Sequence, residues 1–80
     1  MGVVEDLADE LAKDVLKAAD MAKDVDLYKK VSEIVGDSST TLQDAYLTAV
    51  RVRIAERRAR SYLNDYISKN LKNETPIADG

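Results

Sequence analysis

The placement of helix-breaking residues constrains the fold of this chain more than any other feature. Its three glycines and one proline lie at positions 2, 36, 76 and 80, which leaves two long uninterrupted segments. The polar run "GDSSTT" at 36–41 separates these segments, and both are rich in residues that favour helices over strands. The sequence therefore predicts an all-α protein with two long helices.

The residues at the ends of the segments indicate where the helices begin and end. Gly36 is expected to end the first helix in the left-handed conformation that glycine adopts most readily. Thr40 followed by Gln43 matches a capping box at the start of the second helix, with Thr41 and Asp44 as an alternative one residue later. The predicted order is helix 1 over about 3–35, a turn at 36–40 and helix 2 over about 41–72.

The short turn predicts that the two helices are antiparallel neighbours in a helical hairpin. Residues 1–74 would form a single helical domain. Pro76 cannot continue a helix, so residues 75–80 are expected to form a flexible C-terminal tail.

The apolar pattern of helix 1 leaves a second arrangement open. Apolar residues recur every seven positions at Val4, Leu11, Ala18 and Val25. Further along, the apolar positions shift to Leu27, Val31 and Ile34. This shift allows a break near residues 23–26, with Asp24 capping a second short helix, and the alternative fold is then a three-helix bundle.

The small size of the chain favours self-association. A domain of 80 residues buries a modest share of its surface and needs additional stabilisation. The chain has no cysteine and no histidine, so disulfides and the commonest metal ligands are absent from its sequence. We therefore expect a homodimer in which two hairpins form a four-helix bundle.

Helix 2 carries two apolar faces, whereas a hairpin offers only one partner helix. The first face comprises Ala45, Ala49, Val52, Ala59, Leu63, Tyr66 and Ile67. The second lies nearly opposite and comprises Leu47, Val50 and Ile54. We expect the second face to form the dimer interface.

The stretch "RVRIAERRAR" at 51–60 places five arginines around that second face. Arg51 and Arg58 share one edge and are predicted to rim the interface, as arginines commonly do. Arg53, Arg57 and Arg60 share the other edge and are candidates for phosphate binding. Residues 1–38 carry ten acids against five lysines, whereas residues 39–80 carry five acids against seven bases. The arginines are therefore expected to pair with the acids of helix 1.

The sequence argues against several classes of function. It contains no nucleotide-binding loop, catalytic triad or calcium-binding loop, so we expect no enzyme activity, no cofactor and no metal site. No apolar run is long enough to span a membrane. The acidic start "MGVVEDLADELAKD" differs from a signal peptide, which predicts a cytoplasmic protein.

The remaining classes are binding functions. The leading prediction is a small non-enzymatic interaction module, such as an adaptor, inhibitor or assembly factor, that meets a protein partner through its helix faces. The alternative is a nucleic-acid-binding regulator that uses the arginines at 51–60 on a dimer surface. Binding to phosphates should weaken steeply with salt, whereas an apolar interface should respond weakly.

Overall fold

The computed structural model describes residues 2–71, and within that range it contains three helices and no strand. The helices are α1 (Val3–Ala22), α2 (Leu27–Ser38) and α3 (Thr40–Asn70). The predicted all-α class is confirmed, and none of the described helices is both long and apolar enough to cross a membrane. The predicted tail at 75–80 lies outside the described residues.

The prediction of one continuous first helix is wrong, and the alternative with a break near residues 23–26 is confirmed, although Asp26 and not Asp24 is the N-cap of α2. α1 ends because Lys23 adopts the left-handed conformation, with φ 55° and ψ 40°. Both Lys23 and the next residue, Asp24, donate their N–H groups to the carbonyl of Ala19, the latter at 3.0 Å, a bond characteristic of a Schellman motif. The Asp24 side chain then accepts the Asp26 N–H at 3.1 Å and the Lys30 ammonium at 3.3 Å. These local bonds stabilise a turn where the helix would otherwise continue.

Ser39 alone joins α2 to α3. Its extended backbone follows the end of α2 at Ser38, and its Oγ accepts the Leu42 N–H at 3.0 Å. Ser39 is therefore the N-cap of α3, one residue before the predicted Thr40. The predicted start of this helix is correct to within one residue, but neither predicted capping box forms.

Gly36 lies inside α2 with a helical backbone, so the prediction that it ends a helix in the left-handed conformation is wrong. A Cβ atom at this position would collide with the side-chain amide of Gln43. That amide reaches across from α3 and donates to the carbonyl oxygen of Ser32 at 2.9 Å and to its Oγ at 3.3 Å. Gly36 therefore permits the close approach of α3 to α2.

The two turns reverse the chain twice. α2 is antiparallel to the start of α3, since Gln43 bonds Ser32 while Tyr46, further along α3, donates its hydroxyl to the carbonyl of Tyr28 at 3.0 Å. α1 precedes another reversal and consequently runs in the same general direction as α3. The predicted antiparallel hairpin thus exists between α2 and α3 instead of between two helices of equal length.

The core lies where α1 crosses the first half of α3. Its buried members are Ala8, Ala12, Val15, Leu16, Tyr46 and Val50. On α1 these residues recur at intervals of three or four, whereas the seven-residue pattern leaves Ala18 exposed and Val25 82% exposed. The small side chains of Ala8 and Ala12 leave room for the Tyr46 ring, which is fully buried.

α3 extends beyond this core. Its 31 residues span about 46 Å, compared with about 30 Å for the 20 residues of α1. The last α3 residue that packs against the core is Ile54. The part of α3 that follows the Arg57–Asp20 ion pair therefore projects past the other two helices.

Candidate interaction surface on α3

The predicted interface face of Leu47, Val50 and Ile54 is occupied within the chain. Val50 is 1% exposed and belongs to the core, and the other two pack against that core. The expectation that this face meets a second copy is therefore corrected. Because the chain breaks after α1, α2 folds back and supplies the additional partner helix that a continuous hairpin lacks.

Two of the candidate phosphate-binding arginines tie α3 to α1. The Arg53 guanidinium makes a two-pronged contact with Asp9, with Nε–Oδ1 and Nη2–Oδ2 distances both 2.9 Å. The Nη1 atom of Arg57 lies 3.1 Å from the Oδ2 atom of Asp20. The expectation that these arginines pair with acids of the first helix is confirmed for both residues.

The Arg53–Asp9 pair shifts the titration of both groups. Its charged hydrogen bonds hold the pKa of the Asp9 carboxyl below its usual value of 3.8 and raise the pKa of Arg53. The planar guanidinium matches a carboxylate and a phosphate equally well in geometry. Arg53 already uses that geometry within the chain.

The third candidate, Arg60, contacts an acid of its own helix. Its Nε lies 2.8 Å from an oxygen of Glu56, one turn earlier on α3. All three predicted phosphate-binding residues thus contact carboxylates. A phosphate would have to compete with these contacts.

Arg51 and Arg58, the two predicted rim arginines, differ from the other three arginines in their contacts. Both are exposed, and neither makes an ion pair or a side-chain hydrogen bond with the residues that the structure describes. They are seven residues apart, so they lie along one edge of α3 two turns from each other. Their guanidinium groups are available to a partner.

An exposed apolar strip lies beside that edge, and we call it the outer strip. Its members follow each other at intervals of three and four, with one flanking leucine: Val52, Ala55, Ala59, Tyr62, Leu63 and Tyr66. Val52 is 62%, Tyr62 73% and Tyr66 51% exposed. Ala59 follows the buried Val50 by nine residues, which places it about 180° around the helix from the core face. The outer strip therefore faces away from α1 and α2 around Ala59, whereas Val52, at its N-terminal end, borders a hollow shared with Asp9 and Leu16 of α1.

The outer strip matches the first predicted apolar face only in part. Ala45 and Ala49 of that face are half-buried beside the core, and Ile67 is 6% exposed although it lies outside the core cluster. Ala55 and Tyr62 were not assigned to that face. Their three- and four-residue spacing from Val52 and Ala59 is the sequence signal that identifies them.

Among residues 2–71, no three acidic side chains are grouped so that they could hold a metal ion. Comparison of the chain with protein-family models, with curated proteins and with solved structures finds no match.

Proposed function

We propose that this chain is a small non-enzymatic interaction module, such as an adaptor, inhibitor or assembly factor. It binds another protein chain through the outer strip. The observation that carries the proposal is the run of exposed apolar side chains from Val52 to Tyr66, on the side of α3 opposite the core. Contiguous apolar surface of this kind on a soluble chain is characteristic of interaction sites.

The residue types in and beside the outer strip support a protein partner. Tyrosine and arginine contribute a large share of the binding energy at protein interfaces. Tyr62 and Tyr66 supply large rigid rings, while Arg51 and Arg58 line the adjoining edge with unpaired guanidinium groups in the described part of the chain. A stable helix presents these groups in a fixed arrangement, which lowers the entropic cost of binding.

The nucleic-acid alternative has less support from the geometry. Arg53, Arg57 and Arg60 contact carboxylates, and the chain as a whole carries a formal charge of −3. Nucleic-acid binding of appreciable affinity depends on several cations that are free for phosphate. We expect duplex DNA or RNA to bind more weakly than about 10⁻⁴ M, with gel-shift titrations at about 50 and 200 mM salt as the measurement.

The proposal is tested with a matched pair of variants in tagged chains that are expressed in the native cell. Ala59→Asp places a charge in the outer strip, and Met21→Asp places one at a site on α1 that is 78% exposed. We expect both variants to keep their helical circular dichroism, because both residues are exposed. Protein captured by the wild type should be lost with Ala59→Asp and retained with Met21→Asp. Identical capture by all three chains would contradict the proposal.

A further inference from the structure

We propose that the outer strip is occupied by the outer strip of a second copy of this chain, with the two α3 helices side by side and parallel. This inference rests on the proposed function and specifies its partner. It also moves the expected dimer interface from the buried Val50 face to the opposite side of α3.

The first support is the spacing of the outer strip. Its residues fit the two core positions of a seven-residue coiled-coil repeat, a and d. Val52, Ala59 and Tyr66 take position a, while Ala55 and Tyr62 take position d. Alanines in the middle allow two helices to approach closely, and the tyrosine rings can then cover the seam at its C-terminal end.

The second support is the charge pattern along the two edges. In a parallel pair, position g of one helix lies beside position e of the other, five residues further along. Arg51 occupies a g position, so it meets Glu56 of the second copy, which it shares with Arg60 of that copy, and the symmetry of the pair forms this contact twice. Arg58 occupies the next g position and meets Leu63 of the second copy, where its aliphatic stem packs without a charge conflict.

An antiparallel pair has a less favourable pattern. There, each g edge faces the g edge of the other helix. The edge that carries Arg51 and Arg58 would then lie against the same edge of the second chain. That edge also carries Asp65, so in the antiparallel register that keeps Val52 in the seam Arg51 would meet Asp65, but Arg58 would meet Arg58 of the second copy. Since Arg58 has no acid partner among residues 2–71, this register brings two unneutralised like charges together, whereas the parallel pair brings none. Charge complementarity therefore selects the parallel pair.

The position of the core permits this pairing. α1 and α2 cover the face of α3 that contains Tyr46 and Val50, so they do not obstruct the opposite side. A two-fold axis parallel to α3 can join the two copies while both cores stay intact. The additional burial also meets the need of a small chain for stabilising contacts.

Cysteine cross-linking tests the direction and the register. The wild-type chain has no cysteine, so Val52→Cys, Ala59→Cys and Tyr66→Cys each introduce a single thiol. In the parallel pair each thiol lies opposite its own copy, and all three variants should form disulfide dimers under mild oxidation. Val52 and Tyr66 are about 21 Å apart along the axis of α3. In any one antiparallel register, at most one of these two positions can therefore lie opposite itself in the second copy and form a disulfide. Met21→Cys on α1 is the control and should form no disulfide dimer.

Charge reversal tests the predicted contact between the copies. Arg51→Glu should weaken dimerisation by about 10-fold in sedimentation equilibrium, because two attractive contacts become repulsive. Adding Glu56→Arg to that variant should restore affinity to within about threefold of the wild type, whereas Arg58→Glu alone should change it by less than about threefold. Equal loss with Arg51→Glu and Arg58→Glu would overturn the parallel register.

The outcomes separate this inference from the proposed function. A wild-type chain that stays monomeric at high micromolar concentration, or that cross-links only through Ala59→Cys, contradicts the parallel pair. If Ala59→Asp still abolishes capture of another protein in that case, the outer strip docks a different partner and the proposed function stands. If Ala59→Asp captures the same proteins as the wild type, both proposals fail.

Discussion

The two halves of α3 belong to one continuous helix, yet they use opposite faces. In the first half, from Thr40 to Ile54, the apolar side chains other than Val52 point toward α1 and α2, and Tyr46 and Val50 are almost completely buried. In the second half the same side of the helix carries the ion-paired Arg57. There the apolar side chains other than the buried Ile67 are exposed on the opposite side.

This difference shows that the ends of the shorter helices determine which face of a long helix is buried. The apolar core covers α3 only as far as Ile54, and one turn later α1 meets α3 through the Asp20–Arg57 ion pair, so the sequence beyond Ile54 has less need of an apolar inner face. An apolar outer face in the same region instead stabilises an interaction outside the chain. The comparison can be tested by changing one half at a time.

The largest effect on stability should come from a charge on the core side of α3, in contrast to the same charge on the outer side. Val50→Asp puts an unpaired carboxylate in the core and should cost several kcal/mol, enough to unfold a domain of this size. Ala59→Asp, on the outer side, should leave the melting temperature of the dilute chain nearly unchanged. Thermal circular dichroism measures both, and equal loss of stability in the two variants would show that the halves are not distinct.

The next largest effect concerns the tyrosines. Tyr46→Ala removes a fully buried ring and should cost about 3–5 kcal/mol of unfolding free energy. Tyr46→Phe removes only the hydroxyl that donates to Tyr28 and should cost about 1 kcal/mol. Tyr62→Ala, in the exposed half, should change the stability of the monomer by less than about 0.5 kcal/mol. Urea denaturation at low protein concentration measures all three, and a Tyr62 effect as large as that of Tyr46 would refute the comparison.

A substantial part of this fold could be predicted from the sequence. The run of helix formers after residue 40 placed α3 correctly to within one residue at its start, and the shift of apolar positions near "KDVD" marked the break after α1. The excess of acids before residue 39 led to the correct pairing of Arg53 and Arg57 with the first helix. Local capping signals and charge balance are properties of the sequence itself, so they were accessible.

Other features depend on contacts that no local pattern contains. Gly36 lacks a side chain because Gln43 of α3 approaches it, which becomes apparent only once α2 and α3 are paired. Val50 was assigned to an interface because the number of helices available to cover it was unknown. The position at which α2 folds back determines which apolar face of α3 is buried and which is exposed. The sequence of α3 alone therefore does not distinguish its two opposite apolar faces.

A smaller effect should come from the turn that ends α1. Lys23 holds a left-handed conformation that costs a residue with a Cβ about 1–2 kcal/mol. Lys23→Gly relieves this strain and should stabilise the chain by about 0.5–1 kcal/mol. The same substitution at the exposed, helical Lys17 is the control and should destabilise by about 1 kcal/mol. Urea denaturation that shows Lys23→Gly to be destabilising would contradict the assigned turn.

The smallest effect should be the pH dependence of the contact between Arg53, in the first half of α3, and Asp9 of α1. Arg53 lowers the pKa of Asp9, so the pair contributes stability above the usual carboxyl pKa of 3.8, and this contribution is lost as the pH falls through the lowered value. Asp9→Asn removes the titrating group, and its melting temperature should therefore fall less on acidification than that of the wild type. Parallel thermal melts at neutral and acidic pH measure the difference. An identical acid response would contradict the role of this pair.

Site-resolved amide hydrogen exchange along α3, measured at low and at high protein concentration, tests the central comparison most directly. The amides of residues 44–54 should be protected to the same degree at both concentrations, because α1 and α2 hold them within each chain. The amides of residues 55–70 should exchange faster in dilute solution and gain protection as the concentration rises and the outer strips associate. Protection that is equal in the two halves and independent of concentration would contradict the account.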